Sequence, residues 1–159
     1  MITVAIIGIV AGLLVYSLNG QSKRVKGKSE VQAMFQEMHR AQSEYALEHG
    51  RYLSTGTDAG DIFPDGISDQ LQDVGTRPDE WITLKLQPTS AKLYCGYVAV
   101  AGDADDSLPA FADDFGMVQP PGNWYALYAE CDMDGSSTLN GTFFSSSVDS
   151  KMQRRDETH

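Results

Sequence analysis

The first 18 residues, Met1 to Leu18 (MITVAIIGIVAGLLVYSL), carry no charge, and all 12 basic and 22 acidic residues of the chain follow them. An apolar run of this length is a membrane-helix candidate, because about 20 helical residues cross the hydrocarbon core. Gly8 and Gly12 sit four apart within it. Glycines at that spacing let helices approach closely in lipid, or weaken a helix enough for it to stretch. A secretory signal would instead show a basic start, a shorter apolar core and a small-x-small cleavage site. No basic residue precedes Lys23, and the following SLNGQS fits that cleavage pattern poorly. The expectation is therefore a retained anchor that holds the remaining residues as a head.

Charge divides along the same boundary. Residues 1–28 contain Lys23, Arg24, Lys26 and Lys28 and no acid, which leaves −14 for the rest of a chain whose total is −10. An acidic head argues against general nucleic-acid binding, since phosphate contacts need a basic surface. The basic cluster suits lipid headgroups beside a membrane. Taken alone it places the head in the cytoplasm by the positive-inside rule. The two cysteines, Cys95 and Cys131, point the other way. They lie in strand-like segments without CxxC spacing, which favours one structural disulfide outside the cytosol, with two buried thiols as the alternative.

The chain divides into an anchor with its basic cluster (1–28) and one head (29–159). Ser29 to His49 reads as helix, with Val31, Met34, Phe35, Met38, Ala41, Gln42 and Tyr45 recurring at three- to four-residue intervals. Gln32, Gln36, Glu37, Arg40, Glu44 and Glu48 form its polar face, and Gly50 is the expected stop. No proline separates this segment from the anchor, so one continuous helix of about 48 residues, roughly 70 Å long, is expected. Residues 50–80 read as a connecting loop with a short helix near Ile67–Val74. Strands are expected at Trp81–Leu86, Leu93–Ala101, Trp124–Cys131 and Thr142–Val148. A loop at Gly102–Asn123 and a polar tail from Asp149 complete the head. The fold class is α+β: a long N-terminal helix, apolar anchor plus amphipathic half, packed on an antiparallel sheet of about four strands, 81–148.

Candidate chemistry is sparse. Asp132, Asp134 and Asn140, around the turn at Gly135, are spaced as oxygen donors for Ca²⁺, without the terminal Glu of an EF-hand. An acidic hairpin turn is the competing reading. Asp103, Asp105, Asp106, Asp113 and Asp114 read as a solvated loop. His39, His49 and His159 are not spaced with a Ser or Cys and a carboxylate in any hydrolase pattern, and no Gly-rich phosphate loop occurs. No enzymatic activity is expected, and no cofactor beyond that calcium candidate.

The string Val4-Ala5-Ile6-Ile7-Gly8-Ile9-Val10-Ala11-Gly12 resembles the apolar signature that follows the processing site of type IV pilins and pseudopilins. Arg40 to Tyr45 with Gly50-Arg51-Tyr52 is similar to the helix end and Gly-x-Tyr exit of many pilins. Trp124 to Thr138 (WYALYAECDMDGSST) resembles the strand and acidic turn that end some of them. The family's leader peptide, its Gly and its Phe-Thr-Leu-Ile-Glu start are not in the chain, and Tyr16 stands where many major pilins have a kinking proline.

The resemblance implies a subunit of a type IV pilus or pilin-like filament, serving motility, adhesion or surface attachment. It implies inner-membrane residence with an extracytoplasmic head, then an extracellular pilus or a periplasmic filament. Partners would be further copies or other pilins and the assembly machinery. Val4, Ile6, Ile7, Gly8, Ile9, Ala11, Gly12 and Leu13 would line the filament core. A type II secretion pseudopilin shares this architecture. A single-pass anchored periplasmic binding domain is the rival of a different class.

Overall fold

The computed structural model describes the backbone of residues 2–132 and 140–155, with side chains from Val25 onward. Helix α1 spans Ile2–His49. In its head half, Val31, Met34, Phe35, Met38, Ala41 and Gln42 are buried, while Gln32, Gln36, Arg40 and Glu44 face solvent. The helix stops where expected: Gly50 adopts φ +74° and its N–H reaches Ala46 O at 2.8 Å, the left-handed ending that glycine favours. Among the described residues no helix is long and apolar enough to cross a membrane. The side chains of the apolar segment 1–18 lie outside those residues.

After α1 come a 3₁₀ turn (Ala59–Asp61), β1 (Gln72–Asp73), α2 (Asp79–Thr83), β2 (Lys92–Leu93), β3 (Cys95–Gly102), α3 (Ala110–Asp114), β4 (Trp124–Cys131), β5 (Gly141–Ser146) and β6 (Gln153–Arg155). Strands β3-β4-β5-β6 form a four-stranded antiparallel sheet in sequential order, and β1 and β2 a separate two-residue pair. The molecule is thus α+β, with an N-terminal helix on a four-stranded antiparallel sheet.

Both faces of the sheet are covered. Cys95, Tyr97, Ala99, Tyr125, Leu127, Ala129 and Phe143 pack with Met34, Phe35 and Met38 of α1. Val98, Val100, Trp124, Ala126, Tyr128 and Phe144 pack on the other side with Ile62 and with Phe111 and Ala112 of α3. This explains why β3 and β4 read as continuous apolar runs rather than alternating ones: a strand buried on both faces has no solvent side.

Four expectations need correction. Trp81–Leu86 is not a strand. Asp79 and Glu80 open α2 behind Pro78, which puts Trp81 and Leu84, three residues apart, into the core and leaves Ile82 54% exposed. Lys85 then turns at φ 55° and returns Leu86 to the core. The sheet's fourth member is β6 instead, drawn from the supposedly polar tail: Met152 packs against the inner core, and Arg154 and Arg155 lie over the rings of Phe143 and Phe115. Ile67–Val74 holds no helix; Gln72 and Asp73 pair with Leu93 and Lys92. Gly102–Asn123 is not merely a loop, since α3 within it caps the outer face.

The exposed edge of β3 is closed. Tyr97 N and O pair with Phe63, Ala99 with the backbone N–H and hydroxyl of Thr55, and Ala101 with the Ser54 hydroxyl. A strand edge so capped offers no template for another chain.

Cys95 and Cys131 are register partners at one end of β3 and β4 and are joined by a disulfide across 36 residues of sequence. Loop closure of that size is worth about 3–4 kcal/mol. Cys131→Ser should lower the melting temperature accordingly, and non-reduced peptide mapping should recover the two cysteine peptides linked. Full recovery of free thiols under thiol-blocking conditions would contradict the pairing.

Candidate functional site at the helix–sheet seam

The inner face of α1 is not purely apolar. Three polar side chains on it reach across to the rest of the head, and each fixes a different point along the helix. Nearest the N-terminal end, the half-buried Glu30 accepts from Tyr94 N at 3.0 Å, Cys95 N at 3.1 Å and the Tyr97 hydroxyl at 2.9 Å. Midway, His39 Nδ1 lies 2.6 Å from the Tyr125 hydroxyl and Nε2 lies 2.8 Å from the Ser145 hydroxyl. Nearest the C-terminal end, the fully buried Gln42 donates to Leu53 O at 2.6 Å and accepts from Leu53 N at 3.0 Å. On the flank, Glu37 accepts from Gln87 N at 3.0 Å.

Burial sets the electrostatics of these groups. Desolvation raises the Glu30 carboxyl above its ordinary value, against the lowering effect of its three donors. Desolvation also lowers His39 and pushes Tyr125 up to about 12. Glu37 is held below the usual carboxylate range, first by its hydrogen bond to Arg40. Ser145 is fully buried, so its contact with His39 joins helix to sheet and offers no nucleophile to a substrate.

The register gives the head two distinct ends. Cys95, Cys131 and Gly141 lie together at one end, beside Glu30 and the point where α1 leaves the head. Gly102, Trp124 and Ser146 lie at the other, where the Asn123 amide donates to Gly50 O at 2.9 Å. The disulfide is therefore at the end of the head where α1 leaves it.

Of the sequence-derived site residues, Cys95 and Cys131 are brought together. Val4 to Leu13 belong to α1, with side chains outside the described residues. Asp134 also lies outside them. Asp132 is buried, and the Asn140 amide donates to Glu130 Oε1 at 2.8 Å. Among the described residues no group of three or more His, Cys, Asp or Glu could hold a metal. Asp103 and Asp106 form a local turn, Asp103 N donating to the Asp106 carboxylate at 2.8 Å. Glu30 and Ser145 are not among the sequence-derived site residues, and His39 enters there only in the search for catalytic groups. A signal existed in register: Glu30 falls one turn before Met34, and His39 one turn after Phe35.

Comparison with protein-family models, with curated proteins and with solved structures finds no match to this chain.

Glu30→Ala strands buried donors at Tyr94, Cys95 and Tyr97, each costing about 1–3 kcal/mol unless water enters. A loss of roughly 2–4 kcal/mol in urea unfolding is expected, and no loss would show that the carboxylate is dispensable. The pH dependence has two opposed limbs. A raised Glu30 contributes stability below 4.5 that is lost as pH rises through its folded value, and a lowered His39 contributes stability above 6.5 that is lost as pH falls through its folded value. His39→Gln should flatten the wild-type decline below pH 6.5 and leave the Glu30 limb unchanged; an unaltered profile would contradict the assignment.

Proposed function

We propose that this chain is a structural, non-enzymatic subunit of a type IV pilus or pilin-like filament. Before assembly it is held in the inner membrane by its N-terminal helix, with the head outside the cytoplasm. The observation that carries the reading is the continuity of α1 over 48 residues. An apolar first third passes, without a break, into an amphipathic half bonded to a disulfide-pinned sheet. Such a subunit can exchange lipid for neighbouring helices at little cost, because the apolar segment never needs water as its final solvent. Three further features support the reading: the sequence resemblance of residues 4–12, the pairing of Cys95 with Cys131, and the closed β3 edge, which removes one strand edge as a template for association. The pilin-like character of the fold is part of the same proposal.

Replacing Gly8 or Ala11 by Arg tests it. A charge at the centre of a packed apolar helix costs at least about 2.5 kcal/mol. The head should fold with its disulfide intact, membranes should retain the protein, and sheared filaments should lack it. Normal amounts of the variant in filaments would overturn the reading, as would absence of the wild-type chain from any filament fraction.

A further inference from the structure

Beside the seam, a groove of about 340 Å³ separates α1 from the turn leading into β6. Gln32, Phe35, Gln36 and His39 line it from the helix, and Ser150, Lys151 and Met152 from the turn. Its volume falls in the range of about 300–1,000 Å³ usual for small-molecule sites. Its chemistry differs from that of the surrounding surface. The head carries −14 by formal charge, yet no carboxylate lines the groove. Among the described residues Lys151 Nζ has no ion pair, and the side chains of Gln32 and Gln36 have no hydrogen-bond partner. The floor is apolar: Phe35 is 3% exposed and Met152 packs on the same core.

We propose that this groove binds a small carboxylate with a short hydrocarbon body. Lys151 and the two glutamine amides take the oxygens, and Phe35 and Met152 take the hydrocarbon. Charge complementarity selects this occupant: an anion meets the Lys151 ammonium and amide donors, whereas a cation would meet that ammonium and only neutral amide and hydroxyl oxygens. The site is independent of the filament reading.

His39 reports on the groove. Both of its ring nitrogens are engaged by Tyr125 and Ser145, so it senses a bound anion through the field rather than by direct contact. The charged and titratable groups around it are few. Arg40, on α1, is held between Glu37 and Glu44. Tyr125 comes from β4, and Tyr52 packs edge-on against it at 4.6 Å. The turn supplies Lys151 and also Asp149, whose carboxylate accepts from Lys151 N at 2.9 Å. A carboxylate in the groove adds a negative charge beside the imidazole and raises its pKa; by reciprocity, protonation of His39 tightens binding as long as the ligand itself stays ionised.

The test uses the full chain in detergent micelles, with labelled methionine methyls and histidine rings observed by NMR. Propionate is the probe, and propylammonium at equal ionic strength is the control. Propionate should shift the Met152 methyl and the His39 ring saturably and move the His39 midpoint upward, while propylammonium leaves all three unchanged. Lys151→Glu, at an exposed position, should weaken propionate binding by about tenfold or more, and Gln36→Glu should weaken it independently. Equal responses to the two probes, or propionate shifts unaltered in both variants, would overturn the proposal.

Discussion

The carboxylate of Glu30 holds the point on which the rest of the head depends. It accepts the N–H groups of Tyr94 and Cys95 and the hydroxyl of Tyr97, and so closes the start of β3 where no neighbouring strand can. The same residue, Cys95, is tied covalently to the end of β4. Helix, first strand and second strand therefore meet at one place, and that place is where α1 leaves the head. Burial opposes ionisation of the carboxyl while its three donors favour it, and the two effects leave a group whose protonation is coupled to the docking of the helix.

His39 and Gln42 extend the attachment along the helix. Apolar packing alone would let α1 slide or rotate by small amounts on a smooth sheet face, because it is non-directional. Together with the Glu30 bonds, those of His39 to Tyr125 and Ser145 and of Gln42 to Leu53 fix rotation and translation at three separated points. A force applied to the N-terminal part of α1 is then delivered to the sheet through directional bonds and a disulfide.

Much of this arrangement is legible in the residues themselves. The three- to four-residue recurrence from Val31 to Ala41 gave the buried face of α1, and Gly50 its end, because helical period and a left-handed stop are local properties. The runs at Cys95–Ala101 and Trp124–Cys131 gave the two central strands. Trp81–Leu86 misled because six alternating residues fit either a strand or, through Trp81 and Leu84, a single helical turn. Only the competition for core volume decides between them. Gln153–Arg155 was hidden for a related reason: its pairing depends on Met152 reaching a core made by distant residues. Glu30 was opaque in a different way. A carboxylate on the buried face of a helix looks like an exception until the unpaired N–H groups of Tyr94 and Cys95, more than 60 positions away, are brought against it.

Residue-resolved amide hydrogen exchange tests the central claim, that α1 is locked to the sheet by side chains bonding backbone groups no strand can pair. The amides of Tyr94, Cys95 and Leu53 are the ones to follow in the full chain. If the seam is as described, they exchange as slowly as amides in the middle of β4, despite lying at a strand end and in a loop. Exchange at the rate of exposed loop amides, with β4 still protected, would mean that the helix is held by apolar packing alone and would contradict the account.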